Sequence, residues 1–569
     1  MTTLSVFGKP ASPGVAIGRA YVLGLSTTLP EPPEEFSGPF NAEAEFEKLT
    51  QAIRAAKFEI ELVHKKSLST LGAEKAAIFE AHLMIVEDPE MLDLTRDRIF
   101  GKAEGSQGFE TARLAYSKVA DFFVTTFESM KNEYMRERAH DVKDVSSRVL
   151  RKLDPNAANE SSIESIVSDV IVVAHDLTPS ETATLDRNHV LGFVTNVGGK
   201  TSHTAILART LEIPAVLGLD SITQKVVTGD WIALNGDTGE VFINPSQEII
   251  SQLNEKKAKL EKEKAELARW VGKPSVTRDG RKVLLTANLG TVDDLPLVLK
   301  NDAEGIGLFR TEFLFMGRNS APSEEEQFRS YKTVLEAMKG KPVVIRTLDI
   351  GGDKEVPYLN IKKEENPFLG LRAIRYCLRT PELFKIQLRA LLRASSFGNL
   401  EIMIPMISCL QELTQAKAMI EEARAQLVSE GVKVASHIKV GIMIEIPAAA
   451  LIADVLAKHC DFFSIGTNDL IQYTCAVDRM NQSIHQLYDP GHLGVRRLIA
   501  MTAKAAKEAG ISVAMCGEMA GTAEFLSFLV GVGLDELSMS SSSLLRTRKQ
   551  LAELSFKDSA AFASAAVNS

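Results

Sequence analysis

Between residues 283 and 540 the chain carries eight apolar, strand-like runs separated by helical or loop segments, an alternation that very few folds can accept. The runs are VLLTANL (283–289), GIGLFRTEF (305–313), PVVIRTLDI (342–350), LEIMIPMI (400–407), KVGIMIEIP (439–447), FFSIGTNDL (462–470), ISVAMCGE (511–518) and DELSMS (535–540). Runs so rich in Val, Ile and Leu suit strands covered on both faces, and strand–helix alternation implies parallel pairing. Eight of them within the 295 residues 275–569 predict a closed (β/α)8 barrel of the TIM type. The intervals 351–399 and 471–510 are then insertions.

The preceding half divides differently. ASPGVAIGRAYVL at 11–23 reads as a short strand pair, followed by a Pro/Glu-rich connector that no regular element could cross. From about 41 to 153, strings such as FEKLTQAIRAAKFEIELVHKKS and ETARLAYSKVADFFVTTFESM place apolar residues three and four apart, the pattern of a helical bundle. Strand-like runs return after Pro155, in SIVSDVIVVAHDL, HVLGFVTNV, PAVLG and DWIALNGDTGEVFINP. The expected organisation is a discontinuous α/β domain (1–35 and 156–245), a helical insertion (36–155), a linker helix (246–274) capped by Ser246 and stopped at Gly272, and the barrel (275–569).

A chain of 569 residues exceeds what one core can fill, so a multidomain α/β protein is expected. No apolar run approaches the roughly 18 residues of a membrane helix. The start, MTTLSVFGKP, shows no secretory pattern, and five cysteines without CxxC spacing fit reduced thiols in a cytoplasmic protein. The net charge of −9, with basic residues interspersed among acidic ones, offers nucleic acid no general attraction. Direct membrane insertion is likewise not expected.

Reactive groups of such barrels lie at the C-terminal ends of the strands. There the sequence offers Asn288, Arg310 with Glu312, Arg346 with Asp349, Glu445, Asn468 with Asp469, Cys516 with Glu518, and Ser538, with Arg479 soon after the sixth run. Arginines from separate strands can clamp a dianionic phosphate through forked hydrogen bonds. Glu445 and Asp469 are two hard oxygen ligands that form an incomplete shell for Mg2+, the rest coming from substrate and water. A metal-bound phosphorylated acid would suit both sets. Any one of these side chains alone could equally be a rim ion pair, and Cys516 a small inert core residue.

A second constellation is GGKTSHTAILARTLEIPAVLG at 198–218. Gly198 and Gly199 allow a tight turn, and Thr201 or Ser202 can cap a helix through AILARTL, which puts His203 in its first turn. Free amides and the positive end of the helix dipole would stabilise a phosphoryl group carried on that imidazole. A hydrogen-bonded structural histidine is the alternative.

ASPGVAIGRA, LTPSETA, GGKTSHTAILAR, GLFRTEFLFM, TLDIGGDK, ENPFLGLRAIR, FFSIGTNDLIQYTCAVDR, MCGEMAG and LDELSMS occur in this order, nearly end to end. So ordered, they closely resemble enzyme I of the bacterial sugar phosphotransferase system, the phosphoenolpyruvate–protein phosphotransferases. The resemblance implies autophosphorylation of His203 from phosphoenolpyruvate with release of pyruvate, then transfer to a histidine of the carrier protein HPr. It implies that Arg310, Arg346, Asn468 and Arg479 bind phosphoenolpyruvate, that Glu445 and Asp469 hold Mg2+, and that Cys516 is the proton donor. It also implies docking of HPr on the helical insertion and a homodimer formed through the barrel. Lys200 departs from the pattern, which has Arg before TSHT, and so keeps the charge but not the bidentate fork.

Two rival readings conflict with the sequence. A related dikinase would need a nucleotide-binding domain, for which the 202 residues before His203 leave no room. A non-catalytic phosphoenolpyruvate sensor could dispense with His203 and Cys516, and both are present.

Overall fold

The computed structural model describes residues 3–23, 40–70, 73–103, 109–130, 133–153, 166, 168–177, 185, 189–199, 203–210, 213–316, 318, 320–352, 354, 356–359, 361–362 and 364–568. It divides into two compact units, residues 1–262 and 263–569, with the boundary inside the helix Gln247–Ala268.

The first unit contains an eight-stranded sheet: β1 (Leu4–Phe7), β2 (Lys9–Ser12), β3 (Val15–Val22), β4 (Val170–Ala174), β5 (Val190–Thr195), β6 (Ala215–Leu217), β7 (Trp231–Asn235) and β8 (Glu240–Ile243). Their order across the sheet is β1-β8-β7-β3-β4-β5-β6-β2. β3, β4, β5 and β6 run parallel, while β7, β8, β1 and β2 pair antiparallel at the flanks. The central strand β4 is apolar throughout because both faces are covered: Ile171, Val173 and Val194 pack on one side, Val172 and Phe193 on the other.

The segment 11–23 is not the strand pair its sequence suggests. β2 and β3 lie far apart, β2 against β6 and β3 between β7 and β4. Gly14, at φ +119°, turns the chain between them instead of closing a hairpin.

Five helices, α1 (Ala42–Thr70), α2 (Ala73–Val86), α3 (Pro89–Ile99), α4 (Ala112–Ser129) and α5 (Glu133–Leu153), share one hydrophobic core that includes Leu49, Ile60, Phe79, Tyr116 and Val145. Asp88 and Thr111 cap α3 and α4 through their side chains, so each helix starts where its first amides find an acceptor. The helix Gln247–Ala268 begins as expected, with the Ser246 hydroxyl accepting from the Ile249 amide at 3.4 Å, and buries only Leu253.

The second unit is a closed barrel of eight parallel strands: β9 (Leu284–Leu289), β10 (Ile306–Arg310), β11 (Pro342–Arg346), β12 (Asn399–Ile404), β13 (Lys439–Ile444), β14 (Phe462–Ile465), β15 (Ser512–Met515) and β16 (Glu536–Met539), with β16 pairing back onto β9. The expected fold class is thus the observed one. The strands are shorter than the apolar runs. After β10 the chain turns into a 3-10 helix at Thr311–Leu314, and after β14 it enters the α-helix Thr467–Cys475. Apolarity marks burial and not strand, so runs continue past the point where the ladder stops. Glu312, Asn468, Asp469 and Glu518 therefore stand on helical turns just above the barrel rim. Among the described residues no helix is long and apolar enough to cross a membrane.

Candidate functional site

At the C-terminal ends of the barrel strands lies a cavity of about 560 Å³. Arg310, Arg346, Glu445, Asn468, Asp469, Arg479 and Cys516, seven side chains singled out from sequence, all line it. They are supplied by five strands or the segments that follow them, so only closure of the barrel brings them together.

Arg346 ends β11 and is almost wholly buried. Its guanidinium donates to Glu312 at 2.8 Å and faces the Asp349 carboxylate at 3.0 Å. Burial alone would pull this guanidinium down, but Glu312, Asp349 and Glu445 overcome that and hold it above its ordinary range. Lys354 reaches the same two carboxylates, at 2.8 Å from Glu312 and 3.2 Å from Asp349. Burial would raise Asp349, yet Arg372, Arg346 and Lys354 keep it well below the usual carboxylate range. Among the described residues Arg310 has no ion-pair partner, so one forked cation faces the cavity uncommitted.

Glu445 follows β13 and is 1% exposed. One of its oxygens accepts from the Met406 amide at 2.6 Å, which aims the carboxylate. Burial, reinforced by Asp469 and Asp349, pushes it up to about 8. Crowded, buried carboxylates of this kind are what a divalent cation would relieve. Among the described residues no group of three or more His, Cys, Asp and Glu side chains could hold a metal alone. Glu445 and Asp469 could supply two oxygen ligands to a divalent cation, the rest of whose shell substrate and water would complete.

Asn468 and Glu518 are locked reciprocally: the Asn468 amide donates to Glu518 at 3.3 Å, and the Glu518 backbone amide donates to Asn468 at 3.2 Å. The Tyr488 hydroxyl donates to the Asn468 carbonyl at 3.2 Å, tying the 476–492 segment that carries Arg479 to the rim. Gly517 is required here, because a Cβ would lie 1.8 Å from the Thr467 hydroxyl.

Cys516 packs among Leu308, Val344, Met403, Met443 and Phe462. Burial pushes its thiol up to about 11, which keeps the proton on sulfur at neutral pH. Asn288 and Ser538 are not among the cavity-lining residues. Ser538 donates to Asn288 at 2.7 Å, and Asn288 donates to the Cys516 carbonyl at 3.1 Å, so both buttress the cysteine's backbone.

Sequence reasoning missed Arg372. It is 1% exposed and bridges Asp349, at 3.0 Å, and Asp469, at 3.4 Å, while also donating to the Tyr473 hydroxyl at 3.1 Å. The signal was present in the ENPFLGLRAIR string. However, Arg372 sits in the insertion between β11 and β12, away from any strand end. Gly351, at φ +109°, lets the chain pass against it, since a Cβ there would be 2.6 Å from that of Arg372.

His203 belongs to the other unit and is the first residue of the helix His203–Thr210. The proposed caps Thr201 and Ser202, and Lys200, lie outside the described residues. Next to His203, Thr204 donates its hydroxyl to the Leu177 carbonyl at 3.0 Å.

Residues 264–556 match the family described as PEP-utilising enzyme, PEP-binding domain. Residues 7–138 match its N-terminal domain and 166–239 its mobile domain. The chain is 50% identical over 550 residues to a phosphoenolpyruvate-protein phosphotransferase of Staphylococcus carnosus (strain TM300), covering 96% of this chain and 93% of that protein. It is 50% identical over 556 residues to the protein of the same name from Geobacillus stearothermophilus, covering 98% and 94%. With the one from Bacillus subtilis (strain 168) it shares 49% over 556 residues, covering 98% and 95%.

Proposed function

Because the chain belongs to the phosphoenolpyruvate-utilising enzymes, we propose that it stores the phosphoryl group of phosphoenolpyruvate on His203 and hands it to a histidine of the carrier HPr. It is a phosphotransferase of the phosphotransferase system. The observation that carries the assignment of residues is the convergence of seven side chains, from five barrel strands and the segments that follow them, in one cavity of about 560 Å³.

In this reading Arg310, Arg346, Asn468 and Arg479 grip the phosphate and carboxylate of the substrate. The His203 imidazole attacks phosphorus, the N–P bond forms, and the bond from phosphorus to the enol oxygen breaks. The enolate of pyruvate leaves, and its methylene carbon takes the proton of the Cys516 thiol, which solvent later restores. Catalysis is then mostly positioning and charge neutralisation. Glu445 and Asp469 would hold Mg2+, which when bound supplies further neutralisation of the phosphate charge.

His203 and the cavity belong to different compact units, so the scheme requires the first unit to visit the barrel and then the carrier. Exposed Phe58 and Leu62 on α1 and Met84 on α2 support the helical insertion as the carrier's docking face. Exposed Leu451, Val455 and Met501, on helices around the barrel, support a homodimer formed there. The reading places the relay in the cytoplasm.

The test is mass-spectrometric mapping of acid-labile phosphate after incubation with phosphoenolpyruvate and Mg2+, with and without an HPr-type carrier. Phosphate on His203, stoichiometric pyruvate and transfer to the carrier are expected. Carrier phosphorylation at the full rate by His203→Ala would refute the scheme.

A further inference from the structure

We infer that Ser464 is a positioning residue for the proton transfer made by Cys516: its hydroxyl, unpaired in the resting protein, donates a hydrogen bond to the sulfur once the thiol has given up its proton. The inference rests on the reading of Cys516 as the proton donor.

Ser464 lies on β14, and Cys516 immediately follows β15, the neighbouring parallel strand. The register pairs Ser464 with Ala514 and continues past the strand end, where the Cys516 amide donates to the Ile465 carbonyl at 3.1 Å. Partners in a ladder point to the same face, and so do residues two apart along a strand. Ser464 therefore shares a face with Ala514, with Cys516 two residues further on, and with Phe462 two residues back. That face is the inside of the barrel, since Phe462 and Cys516 pack in one apolar cluster with Leu308 of β10, Val344 of β11, Met403 of β12 and Met443 of β13.

Ser464 is 1% exposed, and among the described residues its hydroxyl has no hydrogen-bond partner. Leaving a buried donor unpaired is costly, so its presence calls for a reason. A thiol sulfur is a weak acceptor, and in the resting protein Cys516 is itself a donor, to the Ile465 carbonyl at 3.8 Å. Proton transfer changes the partner. The S–H bond breaks and leaves its electron pair on sulfur, while the π electrons of the enolate form the new C–H bond at its methylene carbon. The sulfur is then an anion in apolar surroundings. Burial raises the thiol, and among the groups that oppose burial the Ser464 hydroxyl comes first, ahead of Arg346. A donor fixed where charge develops, and unpaired until it does, stabilises the transfer and not the resting state. Water returns a proton to the sulfur and frees the hydroxyl again.

The experiment uses the full chain and the variants Ser464→Ala and Ser464→Thr. In Ser464→Ala the saturating rate of single-turnover pyruvate formation from phosphoenolpyruvate with Mg2+ should fall about tenfold, with the half-saturating concentration little changed, because a hydrogen bond to a charged group contributes on that scale. Alkylation of Cys516 by iodoacetamide at about pH 9, followed by mass spectrometry, reads the thiolate and should also slow about tenfold. The melting temperature should not fall, since alanine removes an unpaired buried hydroxyl. Ser464→Thr keeps the donor and should recover most of both rates. Wild-type turnover or wild-type alkylation in Ser464→Ala would overturn the inference, as would a lowered melting temperature, the mark of a merely structural hydroxyl. Wild-type turnover in Cys516→Ala would instead sink the reading of that thiol as the proton donor.

Discussion

Replacing Arg372 by Met should destabilise the barrel, and bound Mg2+ should repair part of the loss. Arg372 is wholly buried and neutralises two carboxylates, Asp349 and Asp469. Removing one partner of a buried ionic group costs about 3–5 kcal/mol, since it strands charge in a poorly solvated place. Here the two acids lose unequally. Asp349 keeps Arg346 at 3.0 Å and Lys354 at 3.2 Å. Asp469 loses its one ion-pair partner among the described residues, though at 3.4 Å that contact was loose. The cost therefore belongs near the lower end, about 3 kcal/mol. Arg372→Lys keeps the charge but cannot span both acids with one planar fork, so it should fall in between. Urea unfolding followed by Trp270 fluorescence would read the barrel, in a Trp231→Phe background that removes the other of the two tryptophans. A cation seated between Glu445 and Asp469 restores positive charge beside the stranded acid. Mg2+ should then stabilise the Arg372→Met protein more than the wild type. A variant within about 1 kcal/mol of wild type, or one indifferent to Mg2+, would refute the idea that Arg372 neutralises both Asp349 and Asp469.

Three further outcomes are expected. Cys516→Ala should lower turnover by about a hundredfold or more while leaving the fold intact, because proton transfer by a positioned group contributes on that scale; with the thiol pushed up to about 11, wild-type turnover should show no thiol-dependent loss between pH 7 and 10, and a thiol titrating in that range would contradict it. Glu445→Gln should raise the Mg2+ concentration for half-maximal pyruvate release about tenfold or more, as a lost ligand should, and an unchanged titration would remove Glu445 from the metal site. Burial, with help from Glu401 and Asp535, pushes Glu536 up to about 7 from its ordinary 4.5. Between those values the folded barrel binds more protons than the unfolded chain, so stability falls as pH rises through the window and levels off above it. Glu536→Gln keeps a partner for the Thr286 hydroxyl, which donates to Glu536 at 2.6 Å, and should gain more in melting temperature at pH 8 than at pH 5. Parallel curves for the two proteins would speak against the shift.

Period and polarity in the chain determined the classes of element. Eight apolar runs broken by helical intervals could bury both faces only in a parallel, helix-covered sheet, and closure of that sheet into a barrel is what the structure shows. The polar residues at the ends of those runs were legible for the same reason: Arg346, Glu445 and Cys516 each interrupt or follow a stretch with no other cause for polarity. Tertiary structure decided what local pattern cannot carry. Apolar character continues past Ile465 because the next turn is also buried, so only hydrogen bonding says that the strand stops and the helix bearing Asn468 and Asp469 begins. β2 and β3 are adjacent in sequence but apart in the sheet, since their partners come from residues some 200 positions away. Arg372 escaped notice because, although it falls in ENPFLGLRAIR, it stands at no strand end. Its role depends on charges that meet it only after the chain has closed on itself, those of Asp349 and Asp469.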